Sequence, residues 1–192
     1  RDVLEWFDEE IDFLNYGNPV QELRMAVSKS EDIKKLMLQM IQEMDLDIVD
    51  FRVEEKENDR IEVFTKHVVD EYEAELNLVD ESSGTRKLFG LLPFIAKSLL
   101  LGTTLVIDEL DAKIHPVLLK YLIMTFSNMK KNKKGAQLIF TSHDLSTMSS
   151  DIFRRDEIWF VGKGNHQNSK LYSLVEFNTI KPSGLEVESL HL

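Results

Sequence analysis

The 192-residue chain is 43% hydrophobic and 30% charged, ordinary globular usage that excludes a disordered or fibrous protein. Its length suits one large domain or one lobe of a larger one rather than two independent domains. A net charge of −11 and the lack of any cysteine exclude whole-chain attraction for phosphate backbones, a disulfide framework and a thiolate zinc site.

Nucleic-acid contact therefore requires a local patch or another segment, and a cytoplasmic setting is expected. The longest apolar stretch, LFGLLPFIAKSLLLG (88–102), is interrupted by Pro93 and Lys97, so no membrane span and no membrane partner is expected. No secretory signal is visible. The chain begins at Arg1 with DVLEWFDEEIDFL already in helical register, which suggests a piece of a longer polypeptide.

Val3, Phe7, Ile11 and Leu14 recur at helical spacing, and Gly17, Asn18 and Pro19 end that run. SKSE (28–31) resembles a capping box, and Ile33, Leu36, Met40, Ile41 and Met44 make one apolar face of a second helix. Residues 1–47 are thus expected to be a helical segment. IVDFRVEE (48–55) and IEVFTKHVV (61–69) alternate apolar and polar residues around a charged turn, the pattern of an antiparallel hairpin, and AELNLV (74–79) adds a strand.

Beyond residue 80 the pattern becomes helix (about 86–101), strand (103–107), helix (about 116–129), strand (136–141), helix (about 145–153), then strands at EIWFVG (157–162) and KLYSLVEF (170–177). Such alternation predicts an α/β fold, a mainly parallel sheet flanked by helices. MKKNKKG (129–135) reads as a solvated helix cap and turn more readily than as a nucleic-acid site. GKGNHQNS (162–169) reads as a loop, and the tail, residues 181–192, carries no readable pattern.

Three places carry chemistry. Leu105, Val106 and Ile107 fit a buried parallel strand, whose carboxyl end delivers Asp108 and Glu109. A carboxylate there can hold magnesium, directly or through water, while its neighbour orients an attacking water; on its own the pattern equally fits a strand ending in a solvated acidic turn. LIFTSHD puts His143 just past a second strand, one helix and its loops downstream, so both tips can share an edge. Upstream, Ser82, Ser83 and Gly84 stand where a helix begins, offering hydroxyls and open backbone N–H groups to an anion, or simply an N-cap.

In that order the three elements resemble the C-terminal half of an ABC-type ATPase head, of the SMC-like and OLD-like AAA branch rather than the transporter branch. ESSGT (81–85) aligns with the signature motif, LVIDE (105–109) with Walker B, LDAKIHP (110–116) with the D-loop, and TSHD places the switch histidine at His143. Together with RRDEIWFV, these motifs are similar to those of bacterial ATP-binding proteins of abortive infection and anti-phage defence. The resemblance covers roughly residues 48–177 and implies an ATPase domain over 48–180. It departs from the transporter pattern at Ser83 and His115.

The resemblance also implies the roles. Asp108 would hold Mg2+, Glu109 and His143 would be catalytic, and Ser82, Ser83, Gly84 and Asp111 would contact ATP sandwiched in a homodimer or higher oligomer. No GxxxxGK[ST] occurs in the sequence, so a complete site needs a phosphate-cradling loop from elsewhere, expected ahead of Arg1. A nuclease or toxin is the expected effector partner, with nucleic acid left open. Two further readings stand beside this one: a DNA-repair or chromosome-organising head, and an interaction module without ATP turnover.

Overall fold

The central sheet is built from short apolar strands that cannot be stable alone and find their partners far along the chain. In the computed structural model, which describes residues 10–14, 23–27, 30–56, 60–145, 148–163 and 168–177, β1 (Ile11–Leu14), β5 (Thr104–Ile107) and β6 (Gln137–Phe140) form a three-stranded sheet in the order β1-β5-β6. Both pairings are parallel, with Ile107 opposite Leu14 on one side and Phe140 on the other. The chain divides into two units, Arg1–His143 and Asp144–Leu192.

Ile11–Leu14 is therefore a strand and not the end of a helix. Ile11 and Leu14 are spaced as a helix face would have them, but four residues are too few for period to decide, and pairing with β5 supplies ladder bonds that override it. Val3 and Phe7 lie outside the described residues. Residues 23–27 are helical and bury Leu23, and α1 (Glu31–Glu43) follows, burying Ile33, Met37, Met40 and Ile41 as its periodicity predicts. Its N-cap is Ser30, whose side chain makes no capping bond; Ser28 of the expected box lies outside the described residues.

The alternating segments form the second sheet, β2 (Ile48–Glu55), β3 (Ile61–Val69) and β4 (Tyr72–Asn77), antiparallel in the order β2-β3-β4. The third strand ends earlier than expected because the Asn77 side chain accepts the Val79 N–H at 3.2 Å and turns Leu78–Asp80 into a 3-10 helix. Phe51 of β2 meets Phe89 edge-on at 5.3 Å, which binds this sheet to α2 (Ser83–Leu101). Lys97 of α2 reaches Asp12 of β1 at 2.6 Å, so the one helix touches both sheets.

Gly102 ends α2 in the left-handed region, φ 85°, with the Lys134 carbonyl 2.7 Å from where a Cβ would stand; only glycine fits there. Helix α3 (Pro116–Ser127) starts with proline in its first turn, where a missing N–H costs nothing. Beyond it the lysine-rich run is a turn, held by Asn132 bonds to Phe126, Ala136 and the Ala136 N–H at 2.7–2.8 Å.

In the second unit, the described residues of 145–153 form turns closed by bonds such as Ile152 N–H to Ser149 O at 3.0 Å, not the expected helix. Ser, Thr and Asp side chains there compete with helix bonds for the backbone. β7 (Trp159–Lys163) and β8 (Ser169–Ser173) pair antiparallel. The tail beyond Phe177 lies outside the described residues. Among the described residues no helix is long and apolar enough to cross a membrane.

Candidate functional site

Because β5 and β6 are parallel and in register, the chain leaves both at the same edge. The ladder runs slightly past the strands: Thr141 N–H donates to Ile107 O at 3.1 Å and Leu110 N–H to Thr141 O at 3.1 Å. Thr141 is thereby fixed between the acids. Its hydroxyl donates to Asp108 Oδ1 and accepts from the Glu109 N–H at 2.8 Å.

Glu109 has φ 48°, a left-handed backbone that costs a non-glycine residue energy and is seen where surrounding bonds enforce it. One such bond comes from Lys87 of α2, whose Nζ donates to Glu109 O at 2.8 Å. Burial pushes the Lys87 ammonium below the ordinary lysine range, and the nearby Asp111 and Glu109 charges act against that push. The turn that follows is closed by Ala112 N–H to Glu109 O at 3.2 Å and Ile114 N–H to Asp111 O at 3.0 Å, with Leu110 fully buried.

Asp111 turns toward the second strand tip, where both its oxygens accept the His143 N–H at 3.3 Å. His143 Nε2 lies 3.7 Å from Glu109 Oε1, and both side chains are exposed. The structure thus brings Asp108, Glu109, Asp111 and His143 together on one edge. His115 caps α3 by accepting the Val117 N–H on Nδ1 at 3.3 Å.

ESSGT sits at the start of α2. Ser82 is its N-cap, with Oγ accepting the Thr85 N–H at 3.1 Å; Ser82 and Ser83 are exposed. Gly84 is closer in: a Cβ there would stand 3.2 Å from the Lys113 carbonyl, so the start of α2 abuts the turn after Asp108 and Glu109. Lys87 and Thr141 were not singled out by sequence. The only signal was position, one residue beyond a strand for Thr141 and one helical turn beyond Gly84 for Lys87.

Among the described residues no cluster of three or more His, Asp or Glu is arranged to hold a metal. An exposed carboxylate at a strand tip, as at Asp108, nevertheless suits Mg2+, which is bound through one or two carboxylates with water and phosphate completing its octahedron.

A parallel sheet with three acids and a histidine at its carboxyl edge and a serine-rich helix start beside them matches the layout of ATPase-like domains of the ABC/AAA type. The family described as "AAA domain, putative AbiEii toxin, Type IV TA system" matches residues 17–149, more than half of the chain, and the chain belongs to that family. No curated protein matches.

Among solved structures, one from work on ATP-driven dimerisation and DNA-stimulated activation of SMC ATPases is similar, with TM-score 0.56 and 17% identity over 79% of this chain and 88% of that one. An SMC head bound to the C-winged-helix domain of ScpA gives 0.55 and 14%, over 84% of this chain and 54% of that one. The SMC head domain from Thermotoga maritima gives 0.50 and 18%, over 85% and 52%. The chain spans about half the length of these last two. At such identities the likeness is one of fold: an α/β head with a parallel sheet flanked by helices.

Proposed function

We propose that this chain is the signature-bearing lobe of an ATP-hydrolysing switch whose heads dimerise around ATP. The observation that carries the reading is the convergence of Asp108, Glu109, Asp111 and His143 on one strand edge, with Gly84 packed against the turn they share. Asp108 holds Mg2+, which when bound neutralises phosphate charge. Glu109 orients and deprotonates the attacking water, and His143 donates toward the γ-phosphate. Ser82, Ser83 and Gly84 present hydroxyls and N–H groups to the nucleotide of the partner head, and Asp111 holds the His143 backbone in place.

This reading needs a phosphate-cradling loop in addition, supplied by another segment or polypeptide. The dimer in turn controls an effector, a nuclease or toxin acting in anti-phage defence in the cytoplasm, as the resemblance of the sequence motifs implies; the family description speaks of a putative toxin and a toxin–antitoxin system. A DNA-repair or chromosome-organising head is the second reading, favoured by the SMC-like fold; against it, the 13-residue α1 is about 20 Å long, too short for a coiled-coil arm.

The test is magnesium-dependent ATP hydrolysis by the longest native form, wild type against Glu109→Gln. The expected result is turnover by wild type, and in the variant a loss of about 10²-fold or more with ATP retained in a stable dimer. Failure of both forms to bind ATP would leave an interaction module on an ATPase fold.

A further inference from the structure

The first residue of the ESSGT stretch, Glu81, has a side chain only 10% exposed. It takes no part in the cluster of Asp108, Glu109, Asp111 and His143. A carboxylate so placed is costly to desolvate unless donors satisfy it, and both donors come from β3. Thr65 Oγ1 donates to Glu81 Oε1 at 2.6 Å. His67 Nε2 lies 2.7 Å from the same oxygen, and in the tautomer with its hydrogen on that nitrogen it donates to the carboxylate.

Thr65 is fully buried and His67 17% exposed. They are alternate residues on one face of the middle strand of the antiparallel sheet, so the donor pair is held rigidly. The rest of the turn is stitched in the same direction: Glu81 N–H donates to Leu78 O at 3.3 Å, and Arg86 reaches back from α2 to Val79 O at 2.6 Å. Ser82 follows Glu81 without an intervening residue and caps α2. A shift of the Glu81 backbone would therefore move the cap.

From this clamp we infer that Glu81 is a positioning residue. It fixes β3 to the N-terminus of α2 and so sets the orientation in which Ser82, Ser83 and Gly84 face a nucleotide. The inference rests on the proposed reading that ESSGT acts across a dimer. Under that reading the antiparallel sheet of one head tunes hydrolysis at the site of the other. Glu81 touches no nucleotide itself and acts through Ser82.

Intersubunit complementation tests it, using single-turnover ATP hydrolysis by the longest native form. Glu81→Ala alone is expected to slow hydrolysis about 10- to 100-fold, as a misplacement of about 1 Å does, while dilute, undimerised protein binds ATP as wild type does. Glu81→Gln, which keeps an acceptor, recovers part of the loss. Mixing Glu81→Ala with Glu109→Gln then creates dimers with one site made of an intact Glu109 and an intact ESSGT. Those dimers hydrolyse one ATP at the wild-type rate if Glu81 acts across the interface.

A slow rate that mixing leaves slow means that Glu81 matters only within its own head, and overturns the inference, as does a Glu81→Ala rate equal to wild type. Should Glu81→Ala fail to fold, His67→Phe, which removes the ring donor and leaves Thr65, is put through the same mixing and decides by the same criteria. Absence of hydrolysis by wild type overturns the dimer reading and this inference with it. Wild-type turnover with no effect of Glu81 and His67 overturns this inference alone.

Discussion

Glu109 holds two conflicting demands in one residue. Its backbone sits at φ 48°, which an L side chain tolerates at a cost of roughly 1–2 kcal/mol and glycine accepts without strain. Its carboxylate stands 3.7 Å from the His143 ring, where the proposed chemistry needs it. Strain retained at a functional position predicts a separation of stability from activity. Glu109→Gly should be more stable than Glu109→Ala by about 1 kcal/mol, read from urea unfolding midpoints, while neither hydrolyses ATP. Gly84 makes the opposite case. Alanine there would push against the Lys113 carbonyl 3.2 Å away, with an expected loss of about 1 kcal/mol and a displaced helix start.

The elements are joined by a few polar ties, of which Glu43 is the plainest. It ends α1, pairs with Lys131 beyond α3 and accepts from the Tyr121 hydroxyl at 2.7 Å. The Lys131 bond and then the Tyr121 bond hold its carboxyl down from 4.5 to about 2, while burial, ahead of the Glu43 bond, pushes the Tyr121 phenol up. A carboxyl with a depressed folded pKa contributes stability above its unfolded value and loses it as pH falls through the folded one. The α1 to α3 tie should therefore be intact above about pH 4.5 and be lost towards pH 2. Because the pair is partly solvated, its worth is no more than about 1 kcal/mol. Glu43→Gln should flatten that part of the stability profile in acid unfolding followed by circular dichroism.

The same tie shows what sequence can reveal at this scale. The lysine run after α3 reads as a solvated cap and turn, whereas its Lys131 is half-buried and paired with Glu43 of α1, a partner that sequence does not name. The face of α1 and the alternation of β2 and β3 were legible because each period spans many residues. Ile11–Leu14 was not, because its partner lies some ninety residues away and four residues carry no period of their own. Asp108, Glu109 and His143 announced themselves as polar residues ending apolar runs. Thr141, Lys87 and Glu81 did not, since a threonine, a lysine and a glutamate become informative only once the fold has set them against Asp108, Glu109 and Ser82.

For the whole molecule the telling feature is an asymmetry in the parallel sheet. Leu105 and Ile107 are fully buried on one face, whereas Phe13 and Ile139, in register across Val106 on the other, are 67% and 57% exposed. Parallel sheets are ordinarily covered on both faces, and an apolar row of this kind marks a contact surface. We expect it to pack against the lobe that brings the phosphate-cradling loop, because that loop must reach the strand edge carrying Asp108 and Glu109. In the 192-residue chain, Ile139→Ser should then change stability by less than about 0.5 kcal/mol, against about 2–5 kcal/mol for Leu105→Ala on the covered face. In a form that includes the loop-bearing lobe, Ile139→Asp should abolish ATP binding while thermal unfolding of the 192-residue chain with the same change stays as in wild type. ATP binding that survives Ile139→Asp would place the lobe elsewhere.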